Sequence, residues 1–427
     1  MKKQILIISL LSTYFMTTTR VNFHHYINPY THNFPHLPHL APQNNSASNT
    51  AQSKDVTFLV YIAADNSLYP FVDYDIHELE KIGSNKNVNI LAYVCTKKPG
   101  QRKTTKKYEI RKGYAKQIGI DAWQDSGDYK TVIKACQWAL SSYPADTFIL
   151  DFWNHGSGAI NRSEFEKIRA HRAVCYDDTT GNFLIDSDLK KIGQAVKTLR
   201  KEKNIDIVAF DACLMSAIEI AYILAPYATY MVASQETIPG NGFAYDQIAI
   251  QLASQKTNAK DCALNMVTSY QKAYASSEQY YTMSALDLSQ VNALTENINQ
   301  LSQTLITLLT NDQSLALRQI ITQSAQECEN FELPSYIDLG NFYANILKNI
   351  QQITLETDTE NKLNQILHDG ITLITSLVLS QVHGKGHANA TGISIYFDQQ
   401  SIDPDYSSLA WSQQTTWTSL LNIYLGA

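Results

Sequence analysis

Two apolar runs, TFILDFWNHG at Thr147–Gly156 and IDIVAFDAC at Ile205–Cys213, decide how this chain folds. Each is a short stretch of Ile, Val, Leu and Phe, the composition of a strand buried on both faces of a parallel sheet. Between them, Leu189, Ile192, Val196 and Leu199 recur at spacings of three or four, which predicts a helix over Ser187–Lys203. Strand, crossover helix and strand form a right-handed parallel unit. If the two strands are neighbours, they end at the same sheet edge, with His155 and Cys213 just beyond them. The carboxyl edge of an open α/β sheet is where such folds carry their chemistry.

A free thiol with its pKa at about 8.5 is only slightly ionised at neutral pH, so a nucleophilic Cys213 needs a base, which His155 can be. The run LMSAIEIAYILAPY after Cys213 reads as a helix whose N-terminal dipole would favour the thiolate. Gly156 allows close backbone approach and offers an N–H to a developing oxyanion. Taken singly, a Cys is often a buried hydrophobe and a His beside a Gly turn is often structural. At adjacent strand ends the pair points to acyl transfer.

NHGSG followed by FDAC resembles the His-Gly and Ala-Cys signatures of caspase-like cysteine peptidases, and the wider pattern is similar to the clostripain family, peptidase family C11. Supporting segments are VYIAADNSL, AVCYDD, YMVASQETIPGNGFAYD, YIDLGNF and GISIYFD, so the resemblance runs from about Val56 to Phe397. It implies a caspase-like three-layer sandwich with a mostly parallel central sheet flanked by helices, plus a mainly helical C-terminal extension. It further implies a cysteine endopeptidase in which Cys213 attacks, His155 protonates the leaving amine, and the N–H groups of Gly156 and Cys213 hold the oxyanion. Asp211 matches the acidic position lining the first specificity pocket, which suits a basic side chain, although an Asp capping the next helix would look the same. Asn241 stands where basic-specific relatives offer a second acid, with Glu236 and Asp246 nearby.

By the same resemblance, activation is expected by self-cleavage between His155 and Cys213, after Arg169, with Ala170 as the new N-terminus and Arg162, Lys167 and Arg172 as competing sites. An ordinary solvated loop is the other reading of that basic stretch. Calcium enters by resemblance only, since no compact Asp/Glu loop is evident and the chemistry needs no cofactor.

The rest of the chain fits around this core. Its 427 residues, 44% of them hydrophobic, allow one large α/β unit with an appended part. A formal charge of −6 without a Lys/Arg block gives no attraction to nucleic acid. The six cysteines form neither a disulfide framework nor paired CxxC metal motifs. Residues 1–20 carry two lysines and the apolar run ILIISLLSTYFM, an export signal for a periplasmic or secreted protein, with an uncleaved anchor as the alternative. Residues 21–54, rich in Pro, Asn, His and Ser, read as a disordered linker or pro-segment.

Residues 55–275 are the expected catalytic core and 276–427 a region packing on it and adding at least one strand. Strands are expected at Val56–Ala63, Asn87–Val94, Tyr230–Ala233 and Ala390–Phe397, and helices at Tyr69–Ile82, Tyr129–Leu140, Ser289–Leu309, Lys362–Val382 and Trp411–Leu425. Lys97–Lys112 reads as a solvated hairpin, Cys95 and Cys136 as core residues, and His383 and His387 in HGKGH as parts of a Gly-rich loop without metal. The expected form is a monomer, or two associated pieces after self-cleavage. A catalytically silent caspase-like module binding peptides or a partner is the alternative function. A nucleotide-binding enzyme is disfavoured, because no GxGxxG or GxxxxGK[ST] follows the early strands.

Overall fold

Near-continuous apolar runs with β-branched residues cannot leave a face in water, and here each becomes a strand covered on both sides. The computed structural model describes residues 53–158, 174–254, 256–311 and 314–426. In chain order the elements are β1 (Lys54–Ala64), α1 (Val72–Ile82), β2 (Val88–Thr96), β3 (Thr104–Arg111), β4 (Tyr114–Asp121), α2 (Tyr129–Ser142), β5 (Ala145–Trp153), β6 (Val174–Asp177), β7 (Asn182–Leu184), α3 (Asp186–Leu199), β8 (Ile205–Asp211), α4 (Ile218–Leu224) and β9 (Ala228–Ala233). They continue with α5 (Tyr245–Ser254), α6 (Ala259–Tyr274), β10 (Thr282–Asp287), α7 (Val291–Leu309), α8 (Ser314–Gln326), β11 (Tyr336–Asp338), α9 (Leu339–Asn349), α10 (Thr357–Leu377), β12 (Val378–His383), β13 (Ser394–Tyr396), α11 (Ala410–Gln414) and α12 (Trp417–Leu425).

Nine strands form one sheet in the order β12-β10-β9-β8-β5-β1-β2-β3-β4. The five central strands, β9 to β2, are mutually parallel, and antiparallel pairs extend both edges. Alternate side chains divide between two cores. Tyr61, Phe152 and Phe210 pack under α2, α3, α4 and α7, whereas Ile62, Trp153 and Ala209 pack under α1, α5 and α6. The result is a three-layer α/β structure. Because β2 lies on one side of β1 and β5 on the other, the loops leaving β1 and β5 diverge, which opens a crevice at their carboxyl ends.

Four expectations need correction. Val378–Val382, expected as the end of a helix, instead forms β12, which pairs with β10; the apolar run changes from helical to strand geometry at an open sheet edge. The strand expected at Ala390–Phe397 is only β13, paired with β11 outside the main sheet. The terminal helix is broken between Gln414 and Trp417 into α11 and α12. In the β3–β4 hairpin region, Lys103 is no solvated charge: it is buried and pairs with Asp65 at 2.9 Å and with Asp177.

The C-terminal part shares the core. Trp417 is fully buried, its Nε1–H donates to Tyr396 O at 2.8 Å, and its ring meets Phe342 and Phe397 edge-on. Trp417→Ala is therefore expected to lower stability by about 3–5 kcal/mol. Urea unfolding followed by far-ultraviolet circular dichroism checks this; an unshifted midpoint would show that α12 is peripheral.

Candidate active site

β5 and β8 pair in parallel with Trp153 opposite Asp211, so His155 and Cys213 each lie two residues beyond the last cross-strand pair. This is the juxtaposition expected from the two runs. Gly156 is packed against the Cys213 peptide: a Cβ there would lie 2.4 Å from Cys213 O and 3.0 Å from Ala212 Cβ. Only glycine permits that approach. Leu214 takes a left-handed φ of 63°, so the chain turns sharply immediately after the nucleophile position.

His155 is half-buried, and its Nε2 lies 2.9 Å from Ser67 Oγ. Ser67 follows β1 on the other side of the crevice. It is held by a turn at the buried Asn66, whose Nδ2 donates to Ala63 O and Tyr176 O and whose Oδ1 accepts from Leu68 N. Among the described residues Nδ1 has no hydrogen-bond partner, which leaves it as the nitrogen able to exchange a proton. Ser67 escaped the sequence reading, although its place directly after a buried strand in ADNSL was the available signal.

Burial governs the charge of both groups. It lowers the His155 pKa from its ordinary value. It pushes the Cys213 thiol up to about 11, aided by the nearby charges of Glu236 and Asp211 and opposed by the N–H groups of Ile238 and Gly156 facing the sulfur. Ile238 N lies 3.3 Å from Sγ. The expected help from a helix dipole is absent: α4 begins at Ile218, five residues beyond Cys213, because residues 214–217 are engaged elsewhere. Leu214 N donates to Glu236 O, Ser216 N donates to Ser234 O, and Ala217 bridges to Ser394. Burial thus disfavours the charged form of both groups.

Asp211 is buried 5% exposed, with Oδ2 accepting from Phe243 N at 2.9 Å and from the Tyr245 hydroxyl at 3.0 Å. The same hydroxyl lies 2.7 Å from Asp151 Oδ2, and Asp75 and Glu78 of α1 complete a group of buried carboxylates. Trp153 Nε1 donates to Asp75 Oδ2 at 2.7 Å, and Asp75 Oδ1 has no hydrogen-bond partner. Burial, and for Asp151 the neighbouring Asp211, raises both of these carboxyls well above the usual carboxylate range.

The remaining expected site residues lie around this group. Glu236 sits on the loop leaving β9, its carboxylate taken up by the N–H groups of Thr237 and Glu332 and by His387. Asn241 is exposed at the tip of that loop, beside Gly242, which presses on Asp211. Asp246 is paired with Lys81 at 3.0 Å. Arg169 and Ala170, like Arg162, Lys167 and Arg172, lie outside the described residues, as do the export signal and linker. Among the described residues no group of three or more His, Cys, Asp and Glu side chains could hold a metal ion, and no helix is long and apolar enough to cross a membrane.

Comparison with known proteins places this geometry. The model of the clostripain family, peptidase family C11, matches residues 60–424. Clostripain from Hathewaya histolytica is 30% identical over 285 residues, covering 60% of this chain and 53% of that protein, so the match spans about half the relative's length. Two solved structures share the fold. A secreted C11 cysteine protease from Bacteroides thetaiotaomicron, in complex with an irreversible peptide inhibitor, gives a TM-score of 0.57 at 19% identity over 86% of this chain and 99% of that one. An inactive zymogen C11 protease from Parabacteroides distasonis gives 0.59 at 20% identity, with the same coverages of 86% and 99%.

The Asp151–Tyr245–Asp211 chain has one hydroxyl proton for two carboxylates, so a proton on Asp151 completes it. A carboxyl whose folded pKa is raised stabilises the fold fully below its unfolded value of about 4, and that contribution is lost as pH rises through the folded value. Asp151→Asn mimics the protonated form. It is expected to stabilise the fold increasingly as pH rises above about 4, and by at least about 1.4 kcal/mol more at pH 9 than at pH 5, the equivalent of one pKa unit. Thermal melts at the two pH values decide; equal shifts at both would mean that Asp151 is not protonated in the fold.

Proposed function

The chain belongs to the clostripain family, and from that premise we propose that it is an exported cysteine endopeptidase using Cys213 and His155. The observation that supports this most directly is the β5–β8 register, which sets His155, Gly156 and Cys213 at one sheet edge. In the proposed reaction Cys213 Sγ attacks the scissile carbonyl as its proton passes to His155. The Gly156 and Cys213 N–H groups receive the oxyanion, and the imidazolium then protonates the leaving amine. Water hydrolyses the acyl-enzyme with His155 as base. Ser67 holds Nε2 and thereby fixes the ring plane and the tautomer, the role of the third member in a nucleophile–base–orienter set.

The specificity reading is for Arg or Lys before the scissile bond. Asp211 supports it: Oδ2 is held by Phe243 and Tyr245, and among the described residues no hydrogen bond is made to Oδ1. A cation entering there meets a carboxylate group that lacks a close positive partner. Glu236 and Asn241 form the opposing loop. Self-cleavage at Arg169–Ala170 would leave two pieces joined by the shared sheet, since β5 and β8 lie on opposite sides of that bond. Export through residues 1–20 completes the proposal. Calcium, suggested by family resemblance, finds no fitting ligand group among the described residues, and no step depends on it.

Wild type, Cys213→Ala and Asp211→Asn, assayed on fluorogenic peptides ending in Arg, Lys, Asp or Leu, test this. Wild type is expected to cleave Arg or Lys peptides and itself near Arg169, and Cys213→Ala to do neither. Asp211→Asn should lose at least about thirtyfold in kcat/KM on the basic peptides, the consequence of about 2–5 kcal/mol for an unpaired buried charge. Mass analysis showing Cys213→Ala cut like wild type would remove the self-cleavage step; turnover of Asp or Leu peptides instead would remove the specificity. Because His155 is lowered by burial, the acid limb of kcat/KM is expected below pH ~6.5.

A further inference from the structure

His387, in the Gly-rich turn after β12, is buried between two carboxylates. Its Nε2 lies 3.0 Å from Glu236 Oε2 and its Nδ1 lies 3.2 Å from Glu329 Oε1, with only 6% of the ring exposed. The Glu236 oxygen lies off the line of the Nε2–H, so that contact is a charge attraction more than a directed hydrogen bond. The two glycines flanking Lys385 make the placement possible. Gly384 N donates to Tyr281 O and Gly386 N to Gln279 O, and a Cβ at either position would strike the 279–281 segment at 2.0–2.4 Å. The spacing in HGKGH thus serves to lay the turn flat on that segment and aim one imidazole inward.

Glu236 belongs to the segment that brackets the nucleophile. Its carbonyl accepts from Leu214 N, directly after Cys213, and two residues further on Ile238 N faces the sulfur. The opposite end of the segment is already tied, by Ser234 Oγ and by Gln235, to Thr282, Asp338 and Gly392. Glu236 adds two further links to the C-terminal region, its N–H donating to Thr282 Oγ1 at 3.0 Å and its side chain meeting His387 and Glu332 N.

We propose that His387 is a positioning residue of the active site: clamped between Glu236 and Glu329, it fixes the 234–238 segment that presents the Ile238 N–H to Cys213. The inference rests on the peptidase reading above and assigns the C-terminal region a part in it. His387 touches no reacting atom and acts through Glu236.

With a carboxylate at each nitrogen, the ring is held as imidazolium, and Glu236 and Glu329 outweigh burial to raise its pKa above the ordinary value. The groups facing it are Glu236, Glu329, the exposed Glu332 beside Glu236, and the rings of Tyr280 and Phe331; its own segment carries His383 and the exposed Lys385. A raised folded pKa makes the clamp complete below about 6.5, and the clamp is lost as pH rises through the folded value. That loss lies on the alkaline side of the titration of His155, which is lowered. Asp151 and Asp211, raised to about 8 and about 7, ionise on the same side, so the alkaline limb is assigned to His387 by its loss in His387→Gln and its displacement in Glu329→Gln.

The test uses full-length wild type, His387→Gln and Glu329→Gln, with kcat and KM on an Arg peptide from pH 5.5 to 10. Iodoacetamide labelling of Cys213, read by mass spectrometry over the same range, and a thermal melt of each protein accompany it. His387→Gln is expected to lose about ten- to a hundredfold in kcat/KM at pH 7, the scale of small displacements in an active site. Its profile should lack the alkaline limb in both turnover and labelling. Glu329→Gln, which keeps the imidazole but removes one carboxylate charge, should move that limb to lower pH. Unchanged limbs in Glu329→Gln overturn the proposal, also where His387→Gln fails to fold. So does a loss in His387→Gln that only tracks its unfolded fraction. If wild type cleaves no peptide yet Cys213 labelling still follows His387, the peptidase reading fails and the positioning role stands.

Discussion

The parallel register of β5 against β8 is the constraint on which the active edge depends. Side chains alternate along a strand, so a slip of one residue would exchange the two cores and turn Trp153 and Asp211 to the wrong face. That register is held by burial on both faces, Phe152 stacking on Phe210 beneath one helical layer while Trp153 and Ala209 lie under the other. Two residues beyond it the chain leaves the sheet, where backbone is free to turn. There, Gly156 closes on the Cys213 peptide. The site is thus a consequence of strand packing, with loop residues supplying only the last few ångströms.

Charge beneath the site is arranged in two contrasting ways. On the α1 face, Asp75, Asp151 and Asp211 are buried together with no cation paired to them among the described residues; Tyr245 bridges Asp151 and Asp211, and Trp153 donates to Asp75. On the β9 side, Glu236 and Glu329 are satisfied by His387 and by backbone N–H groups. Among the described residues the first group is relieved by hydrogen bonds alone, without an ion pair. The second is internally neutralised and faces the protein's own C-terminal region. One is suited to accept a cation, the other to hold a segment still.

The central strands, the helices between them and the placement of His155 and Cys213 beyond adjacent strand ends were legible because long apolar runs and three-to-four spacing dominate those stretches. What was not legible depended on partners distant in sequence. Val378–Val382 continues an apolar pattern from α10, and only the open edge of β10 makes it a strand. Lys103 looks like any lysine in a basic hairpin until Asp65 and Asp177 are brought to it. LMSAIEIA after Cys213 has helical composition, yet its first residues are drawn into pairing with Glu236, Ser234 and Ser394. His387 gave no local sign, since both its carboxylates lie more than fifty residues away in the chain.

The same burial that makes the edge a site bears on the charge of its thiol and imidazole. Desolvation disfavours the charged form of each, raising Cys213 and lowering His155, so a preformed ion pair is the costlier arrangement. In the proposed reaction, attack by such a pair would move the proton as the carbon–sulfur bond forms. Negative charge would then fall on the carbonyl oxygen, for the proposed Gly156 and Cys213 N–H groups to receive, and positive charge on an imidazole held by Ser67. On this reasoning the protein stores little charge in its nucleophile and invests instead in geometry. The stitching of residues 214–217 and 234–238 to the C-terminal region is what that geometry requires.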